Sequence, residues 1–348
     1  MSNTVPTSGR ITWIDAAKGL GIILIVLGHL ASVEQPSAFY VYIYAFHVPL
    51  FFFISGLTLK PGNKPFGAML GDKVRTLLVP YLCYALLGYA FYLSGYLAAK
   101  AASLSIEQFN YGPWRPLWGV FHGTLGEGRL VNTPMWFVLA LFCAFVVGWA
   151  INTWIRPLIL RWASVLLLCT AGILVSRHAT LPWSLSSALV GLVFFQAGHT
   201  HTLAGRWPAT ARTALMLFAP LFLLTFASFV NGFVTLADMV LGQPPWYFVF
   251  AFAGTYATIL LVQALGPAAG WLAWIGKYSM AIMVMHMLII RVVKVALSAT
   301  VHLPIGQLET QAVPVVLTAV VTAILLVPCV AFMERFLPWS LGNRRVRA

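Results

Sequence analysis

The stretch Lys18-Gly-Leu-Gly-Ile-Ile-Leu-Ile-Val-Leu-Gly-His29 places a cation and an imidazole at the two ends of an apolar run, eleven residues apart. Because an α-helix turns by about 100° per residue, eleven residues return it to within about 20° of its starting direction, about 16 Å further along its axis. Lys18 and His29 are therefore predicted to share one helix face, with Asp15 about 40° away on the same side. We interpret the rest of the chain around this stripe of an acid, a cation and a base.

His29 has two interpretations at this stage. An ionisable side chain is costly to bury in a membrane-length apolar run, so a functional role is the default. A neutral imidazole can also serve only as a hydrogen-bonding group between helices. The same alternatives apply to His47, which lies in the apolar run at residues 45–56, and there packing and substrate contact are equally favoured.

Composition decides the fold class. Of the 348 residues, 60% are hydrophobic and 8% are charged, which excludes a soluble globular domain of this size. A helix needs about 20 apolar residues to cross a bilayer, and the runs lack the two-residue alternation of a transmembrane barrel. The sequence therefore predicts an all-α, polytopic integral membrane helix bundle of about ten transmembrane helices, at residues 12–33, 41–59, 76–98, 134–152, 162–176, 183–199, 213–231, 246–265, 272–296 and 312–333.

The distribution of lysine and arginine predicts the orientation. With the N-terminus in the cytoplasm, fifteen of the 21 cations fall on the cytoplasmic side, so the positive-inside rule places both termini there. The net charge of +13 is then explained by topology and anionic lipid, and nucleic acid is not needed. We predict a single domain over residues 1–348, with a cytoplasmic tail (1–11), the helix bundle (12–333) and a basic cytoplasmic tail (334–348).

Residues near the ends of the predicted spans supply further candidates. Lys73 and Arg75 precede the third span, where they either mark the cytoplasmic side or bind the phosphates of a nucleotide-type cofactor. Trp136, at the outer end of the fourth span, suits either an aromatic belt at the lipid interface or the flat face of a sugar. In the ninth span, Ser279 and His286 lie seven residues apart and share a helix face.

Several motifs resemble the membrane-bound acyltransferase 3 family over nearly the whole chain. They are Trp13-Ile14-Asp15-x-x-Lys18-Gly19 with Leu27-Gly28-His29, the run Phe-His-Val-Pro-Leu-Phe-Phe-Phe-Ile-Ser-Gly at residues 46–56, Trp136-Phe137, and Ile275-Gly276-Lys277-x-Ser279 followed by His286. The resemblance implies an inner-membrane O-acyltransferase. Such an enzyme moves an acetyl group from cytosolic acetyl-CoA to a hydroxyl of an extracytoplasmic or lipid-linked glycan, such as an exopolysaccharide or an O-antigen.

The site residues of that family correspond by motif to positions in this chain. Its basic residue and its essential histidine match Lys18 and His29, and an imidazole can accept the proton of an attacking hydroxyl. His29 is therefore expected to act as general base, with acyl carriage on the same ring as the lesser alternative. The paired-arginine motif of the family would fall near Lys73 and Arg75, although Asp72 stands where its first arginine is expected. Together with Lys18, these two cations would bind the phosphates of CoA.

The remaining expectations concern the acceptor, the partners and a competing function. Asp15 is expected to orient Lys18, and the acceptor-side candidates are His47, Trp136, Ser279 and His286. The expected partners are acetyl-CoA, the glycan and the bilayer; no metal site is predicted, because the four cysteines lack metal-ligand spacing. The alternative function is a proton-coupled transporter or flippase of an anionic or saccharide solute, with the histidines relaying protons. Only the acyltransferase would release free CoA.

Overall fold

The computed structural model describes residues 12–31, 36–62, 65–103, 106–126, 130–204, 207–208 and 210–343. These residues form the helices α1 (Thr12–Gly28), α2 (Ala38–Leu57), α3 (Phe66–Lys73), α4 (Val79–Ala101), α5 (Trp114–His122), α6 (Met135–Trp154), α7 (Leu158–Ser176), α8 (Leu185–Ala204), α9 (Ala211–Phe226), α10 (Pro244–Leu265), α11 (Gly270–Lys277), α12 (Ser279–Val301), α13 (Ile305–Thr310) and α14 (Ala312–Phe336). The extended pairing found within these ranges is one isolated bridge between Thr235 and Val240. The predicted all-α fold class is confirmed.

Eight helical stretches of the described chain are long and apolar enough to cross a membrane. They are Ala38–Leu57, Phe66–Ala101, Met135–Trp154, Leu158–Ser176, Ala211–Asn231, Pro244–Lys277, Ser279–Val301 and Ala312–Phe336. The other two predicted spans correspond to α1, which has 17 residues, and to α8, which ends in a polar segment, so the total of ten stays a prediction. The predicted cytoplasmic position of the termini concerns residues 1–11 and 344–348, which lie outside the described residues.

Helix α1 packs inside the bundle, where it contacts α2, α10, α11 and α12. Its tightest crossing is with α11 and is formed by Gly19 and Gly276. A Cβ on Gly19 would collide with the carbonyl oxygen of Leu272. A Cβ on Gly276 would likewise collide with the carbonyl oxygen of Asp15. Small residues allow such close approach of helices in membranes, so these two glycines fix α11 against the helix that bears the predicted stripe.

The ninth predicted span, residues 272–296, is divided in the structure. α11 ends at Lys277, and Tyr278 adopts φ −100° and ψ 10° before α12 begins at Ser279. Gly276 holds α11 against α1, whereas α12 packs mainly on α14. The chain leaves helical geometry at Tyr278 because one straight helix cannot satisfy both contacts. The helix that contains His286 is therefore α12 alone.

The region around Lys73 and Arg75 is helical and irregular in its hydrogen bonding. α3 passes through a π-helical turn, Val74–Leu78, directly into α4. Arg75 lies within this turn, and Lys73 is the last residue of α3. π-Helical turns are rare and occur frequently at functional sites, so the local structure singles out the same short segment as the sequence.

Candidate active site

Three histidines from different segments meet at the end of α1. His29 directly follows α1, and its ring centroid lies 5.2 Å from that of His286 in α12, with 37° between the ring planes. His286 and His47 are both close enough to His29 to interact with it electrostatically. His47 and His286 are buried, whereas His29 is half-buried. The fold thus brings together the three histidines that the sequence placed in the interior.

Backbone carbonyls determine which ring nitrogen bears the proton in two of these histidines. His47 Nδ1 lies 2.8 Å from the carbonyl oxygen of Ile43, and His286 Nδ1 lies 2.9 Å from that of Ile282. Because a carbonyl oxygen only accepts hydrogen bonds, Nδ1 must donate in both rings, which leaves each Nε2 as an acceptor. Nε2 of His286 is buried and has no hydrogen-bond partner among the described residues. This nitrogen is free to accept a proton from a bound group.

Tyr44 of α2 links two of the histidines. Its ring centroid lies 6.5 Å from that of His29 and 4.7 Å from that of His47, in edge-on arrangements. The hydroxyl of Tyr44 donates a hydrogen bond of 3.4 Å to the carbonyl oxygen of Gly28. The ring also stacks on that of Tyr40 at 4.3 Å. Tyr44 therefore supports the turn on which His29 stands.

Two cations of α12 lie beside the histidines. Arg291 and Lys294 both interact electrostatically with His29. Lys294 is buried, with Nζ 2.8 Å from Oε1 of Glu309 in α13. Within the described ranges Arg291 forms no ion pair and no hydrogen bond. Of the two cations, Arg291 is thus the one that approaches His29 without an ion-pair partner among the described residues.

The structure pairs the first two residues of the predicted stripe, Asp15 and Lys18. Lys18 Nζ lies 3.5 Å from Oδ1 of Asp15, and the side chain of Lys18 keeps 31% of its surface exposed while that of Asp15 keeps 7%. The buried acid thus pairs with a lysine whose side chain is only partly buried. The shared face of Lys18 and His29, about 16 Å apart along an ideal helix, stays a prediction.

The other two predicted phosphate-binding cations contact protein groups. Lys73 Nζ lies 3.4 Å from the ring centroid of Phe145 in α6. Arg75 Nη1 donates to the carbonyl oxygen of Gly342 at 3.0 Å, and Nη2 lies 3.5 Å from Oδ1 of Asp72. These contacts join the α3–α4 run to α6 and to the C-terminal segment.

Trp136 and Ser279 have separate positions. Trp136 is the second residue of α6 and is buried, with 6% of its surface exposed. The nearby Asn132 donates hydrogen bonds to the carbonyl oxygens of Tyr84, at 3.2 Å, and of Val284, at 2.9 Å. The approach to α6 is thereby attached to α12 two residues before His286. Ser279 is the half-buried first residue of α12, two helical turns before His286.

An apolar cavity of about 850 Å³ lies beside α1. α1 contributes residues between Ile22 and Leu27, α12 contributes Ile282, and α14 lines the opposite wall. Glu334 and Arg335 stand at the C-terminal end of that wall. The cavity follows α1 over the interval between Lys18 and His29.

Among the described residues no group of three or more His, Cys, Asp or Glu side chains could hold a metal ion.

Tyr44, Arg291 and Lys294 are absent from the candidates predicted from sequence. For the two cations the signal was available, because an ionisable residue inside an apolar span is a functional candidate by default. Tyr44 lies three residues before His47, a spacing that places both side chains on one helix face. Their proximity to His29, in contrast, depends on how α2 and α12 pack against α1.

Comparison with known proteins gives a family and two relatives. The sequence profile of a family described as "Acyltransferase domain" matches residues 11–333. A nodulation protein NolL from Sinorhizobium fredii is 30% identical over 190 residues, which cover 51% of this chain and 44% of that protein. A nodulation protein NolL from Mesorhizobium japonicum is 28% identical over 204 residues, covering 55% of this chain and 49% of that protein. The chain spans about half the length of these curated relatives, and no solved structure matches it.

The profile match extends from the start of α1 into the last turns of α14, so it includes the three histidines, the Asp15–Lys18 pair and the α3–α4 run. Its extent is far more than half of the chain. Together with the apolar helices, it shows that this multi-pass membrane protein belongs to the acyltransferase 3 family.

Proposed function

We propose that the protein is an O-acyltransferase of the cytoplasmic (inner) membrane. It moves an acetyl group from cytosolic acetyl-CoA to a hydroxyl of an extracytoplasmic or lipid-linked glycan, with His29 as general base. The observation that carries this proposal is the 5.2 Å contact between the rings of His29 and His286, inside a chain of an acyltransferase family. A hydroxyl is a poor nucleophile at neutral pH, and an imidazole beside it supplies the base that the reaction needs.

The reaction at this site proceeds through addition and elimination. His29 accepts the proton of the acceptor hydroxyl while the oxygen forms a bond to the thioester carbonyl carbon. The carbon–sulfur bond then breaks, and the thiolate of CoA takes the proton from His29 as it leaves. The products are the glycan ester and free CoA, and His29 returns to its neutral state.

Lys18 is the first choice for binding the phosphates of the donor. Its side chain is partly exposed and is paired with Asp15, and helical periodicity predicts that it shares a face with His29, about 16 Å away. Lys73 and Arg75 would contribute from the α3–α4 run. Arg75 already donates to Gly342 and approaches Asp72, but a guanidinium has five N–H donors, so it retains donors for a phosphate.

The direct test uses membranes that contain the protein or its His29→Ala variant, with labelled acetyl-CoA and a glycan acceptor. We expect label in the glycan and an equal amount of free thiol with the unchanged protein, and a loss of both by about 10²–10⁴ with the variant. His178→Ala is the matched control, because His178 is exposed in the turn after α7. Both variants are compared at equal abundance of folded protein.

The two possible failures have different meanings. Equal rates in the unchanged protein and in His29→Ala would show that His29 is not the base. Movement of glycan across the membrane without thiol release would favour the competing function, a proton-coupled transporter or flippase.

A further inference from the structure

Arg291 lies at the middle of α12, a helix that is long and apolar enough to cross a membrane. It is the thirteenth of the 23 residues of α12, so about 15 Å of helix separate it from the last residue, Val301. That length equals half of the hydrocarbon thickness, which is about 30 Å. A cation at such depth is costly and is retained where it serves a pathway or a reaction. Its position therefore differs from that of a lysine or arginine that only marks the membrane interface.

The two cations of α12 differ in whether they form an ion pair within the described part of the chain. Lys294, one turn further along α12, is neutralised by Glu309 at 2.8 Å. Arg291 has no carboxylate partner among the described residues, and both cations interact electrostatically with His29. Of these two cations, Arg291 is therefore the one whose charge is available to a bound group. A bound anion would complete the site.

The proposed reaction creates an anion at this place. When the acceptor oxygen adds to the thioester carbonyl next to His29, the carbonyl oxygen becomes an oxyanion on a tetrahedral carbon. Groups that are already oriented toward such an oxygen stabilise the transition state without having to reorganise. Hydrogen bonds from a charged donor to an oxyanion are about twice as strong as neutral ones.

We propose that Arg291 is a catalytic residue that binds this oxyanion. The inference rests on the proposed acyltransferase function. Arg291 donates N–H groups to the oxyanion while the new carbon–oxygen bond forms, and it keeps its own proton throughout. When the carbon–sulfur bond breaks, the electron pair of the oxyanion restores the carbonyl of the product ester. His29 meanwhile carries the proton from the acceptor hydroxyl to the departing thiolate.

Lys294 is the less suitable of the two cations for this role. Its ammonium group is engaged with Glu309, and the two side chains are 9% and 29% exposed. A guanidinium also offers a planar set of donors, whereas an ammonium group is a point charge. The expected function of Lys294 is to hold α13 against α12.

The kinetic test compares Arg291→Gln and Arg291→Lys with the unchanged protein. We expect Arg291→Gln to lower kcat for thiol release by about 10²–10³, with KM for acetyl-CoA and for the acceptor nearly unchanged. Arg291→Lys should recover part of the loss, because it restores the charge without the planar fork. Arg177→Gln is the matched control, since Arg177 is exposed at the end of α7.

A binding test is independent of turnover. S-carboxymethyl-CoA places a carboxylate near the position of the oxyanion, and S-ethyl-CoA is its uncharged counterpart. We expect the unchanged protein to prefer the carboxylate by about tenfold, as a charged hydrogen bond predicts, and Arg291→Gln to lose that preference. Unaltered binding of S-ethyl-CoA by the variant shows that it is folded.

Three results would overturn the role of Arg291. The first is an unchanged kcat in Arg291→Gln. The second is a preference for the carboxylate that persists in that variant. The third is a loss confined to KM for acceptors with a carboxylate or a phosphate, because it would identify Arg291 as an acceptor-binding residue. If the unchanged protein neither releases thiol nor binds either CoA compound, the proposed acyltransferase function itself fails. The three results above, in contrast, concern only the role of Arg291.

Discussion

The rings of His29 and His286 lie 5.2 Å apart, although the two residues are 257 positions apart in the chain. The contact exists because α12 packs against the end of α1. Nδ1 of His286 is committed to the carbonyl of Ile282, and its Nε2 has no partner among the described residues. His286 can therefore orient the ring of His29, or share its proton during turnover, through Nε2. Nδ1 of His286 takes no part in this, because it already donates to Ile282.

Replacing His286 should impair catalysis less than replacing His29. We expect His286→Asn to lower kcat by about 10- to 100-fold, below the factor of 10²–10⁴ typical of a lost general base. The double variant should be little worse than His29→Ala alone, because residues that act as a unit give non-additive losses. Thiol release at saturating acetyl-CoA measures all three. If the loss of kcat in the double variant equals the product of the two single losses, the two rings act independently.

The crossing of α1 and α11 should tolerate no side chain at its two glycines. Gly19→Ala places a Cβ against the carbonyl oxygen of Leu272, which is backbone and cannot rotate away. We expect a loss of at least about 1–3 kcal/mol, typical of overpacking, seen as a lower Tm in detergent. Gly270→Ala is the matched control within α11, because no atom lies within 4 Å of its added Cβ. Equal Tm values for both variants would contradict the tight crossing.

The bounds of most helices follow from the sequence because the length of an apolar run is a local property. The second predicted span, residues 41–59, corresponds to Ala38–Leu57, and the last, residues 312–333, corresponds to Ala312–Phe336. The interruption at Tyr278 could not be predicted in the same way. It depends on the contact of Gly276 with α1, which no hydropathy pattern records.

In the candidate site, too, local features were predicted from the sequence and tertiary contacts were not. The Asp15–Lys18 pair follows from helical periodicity, and the structure places the two charges 3.5 Å apart. Helical periodicity does not indicate that α12 packs against α1, so it could not predict the contact of His29 with His286. The cation–π contact of Lys73 with Phe145 is likewise tertiary, and a basic segment in a sequence does not show which of its charges already has a partner.

Two of the three proposed phosphate-binding cations, Lys18 and Lys73, should differ in their effect on donor binding. Lys18→Gln removes a partly exposed charge on the His29 face, and we expect KM for acetyl-CoA to rise by about tenfold, as loss of a charge-assisted hydrogen bond predicts. Lys73→Gln should raise KM less and lower Tm as well, because it removes the contact with Phe145. Steady-state kinetics and thermal unfolding of each variant decide this order. A larger KM effect for Lys73 would move the donor site toward α3.

The buried pair of Lys294 and Glu309 should respond asymmetrically to mutation. Glu309→Gln leaves the charge of Lys294, whose side chain is 9% exposed, without its partner, whereas Lys294→Met leaves a carboxylate that is 29% exposed. Breaking a buried pair costs about 3–5 kcal/mol when the remaining charge is uncompensated. We therefore expect the lower Tm for Glu309→Gln, and partial recovery in the double variant. The reverse order would mean that water or lipid headgroups already solvate Lys294.

Asn132 should influence catalysis through the position of α12. Its amide donates to the carbonyls of Tyr84 and Val284, and Val284 lies two residues before His286. Asn132→Ala leaves α6 without this attachment, and we expect a loss of about 1–3 kcal/mol together with a lower kcat. Asn343→Ala is the control, since that side chain contacts Glu334 at an exposed site. Tm and kcat are therefore measured together for both variants. A lower Tm with an unchanged kcat would mean that His286 keeps its place without Asn132, and that the packing of α12 on α1 and α14 alone sets the distance between the two rings.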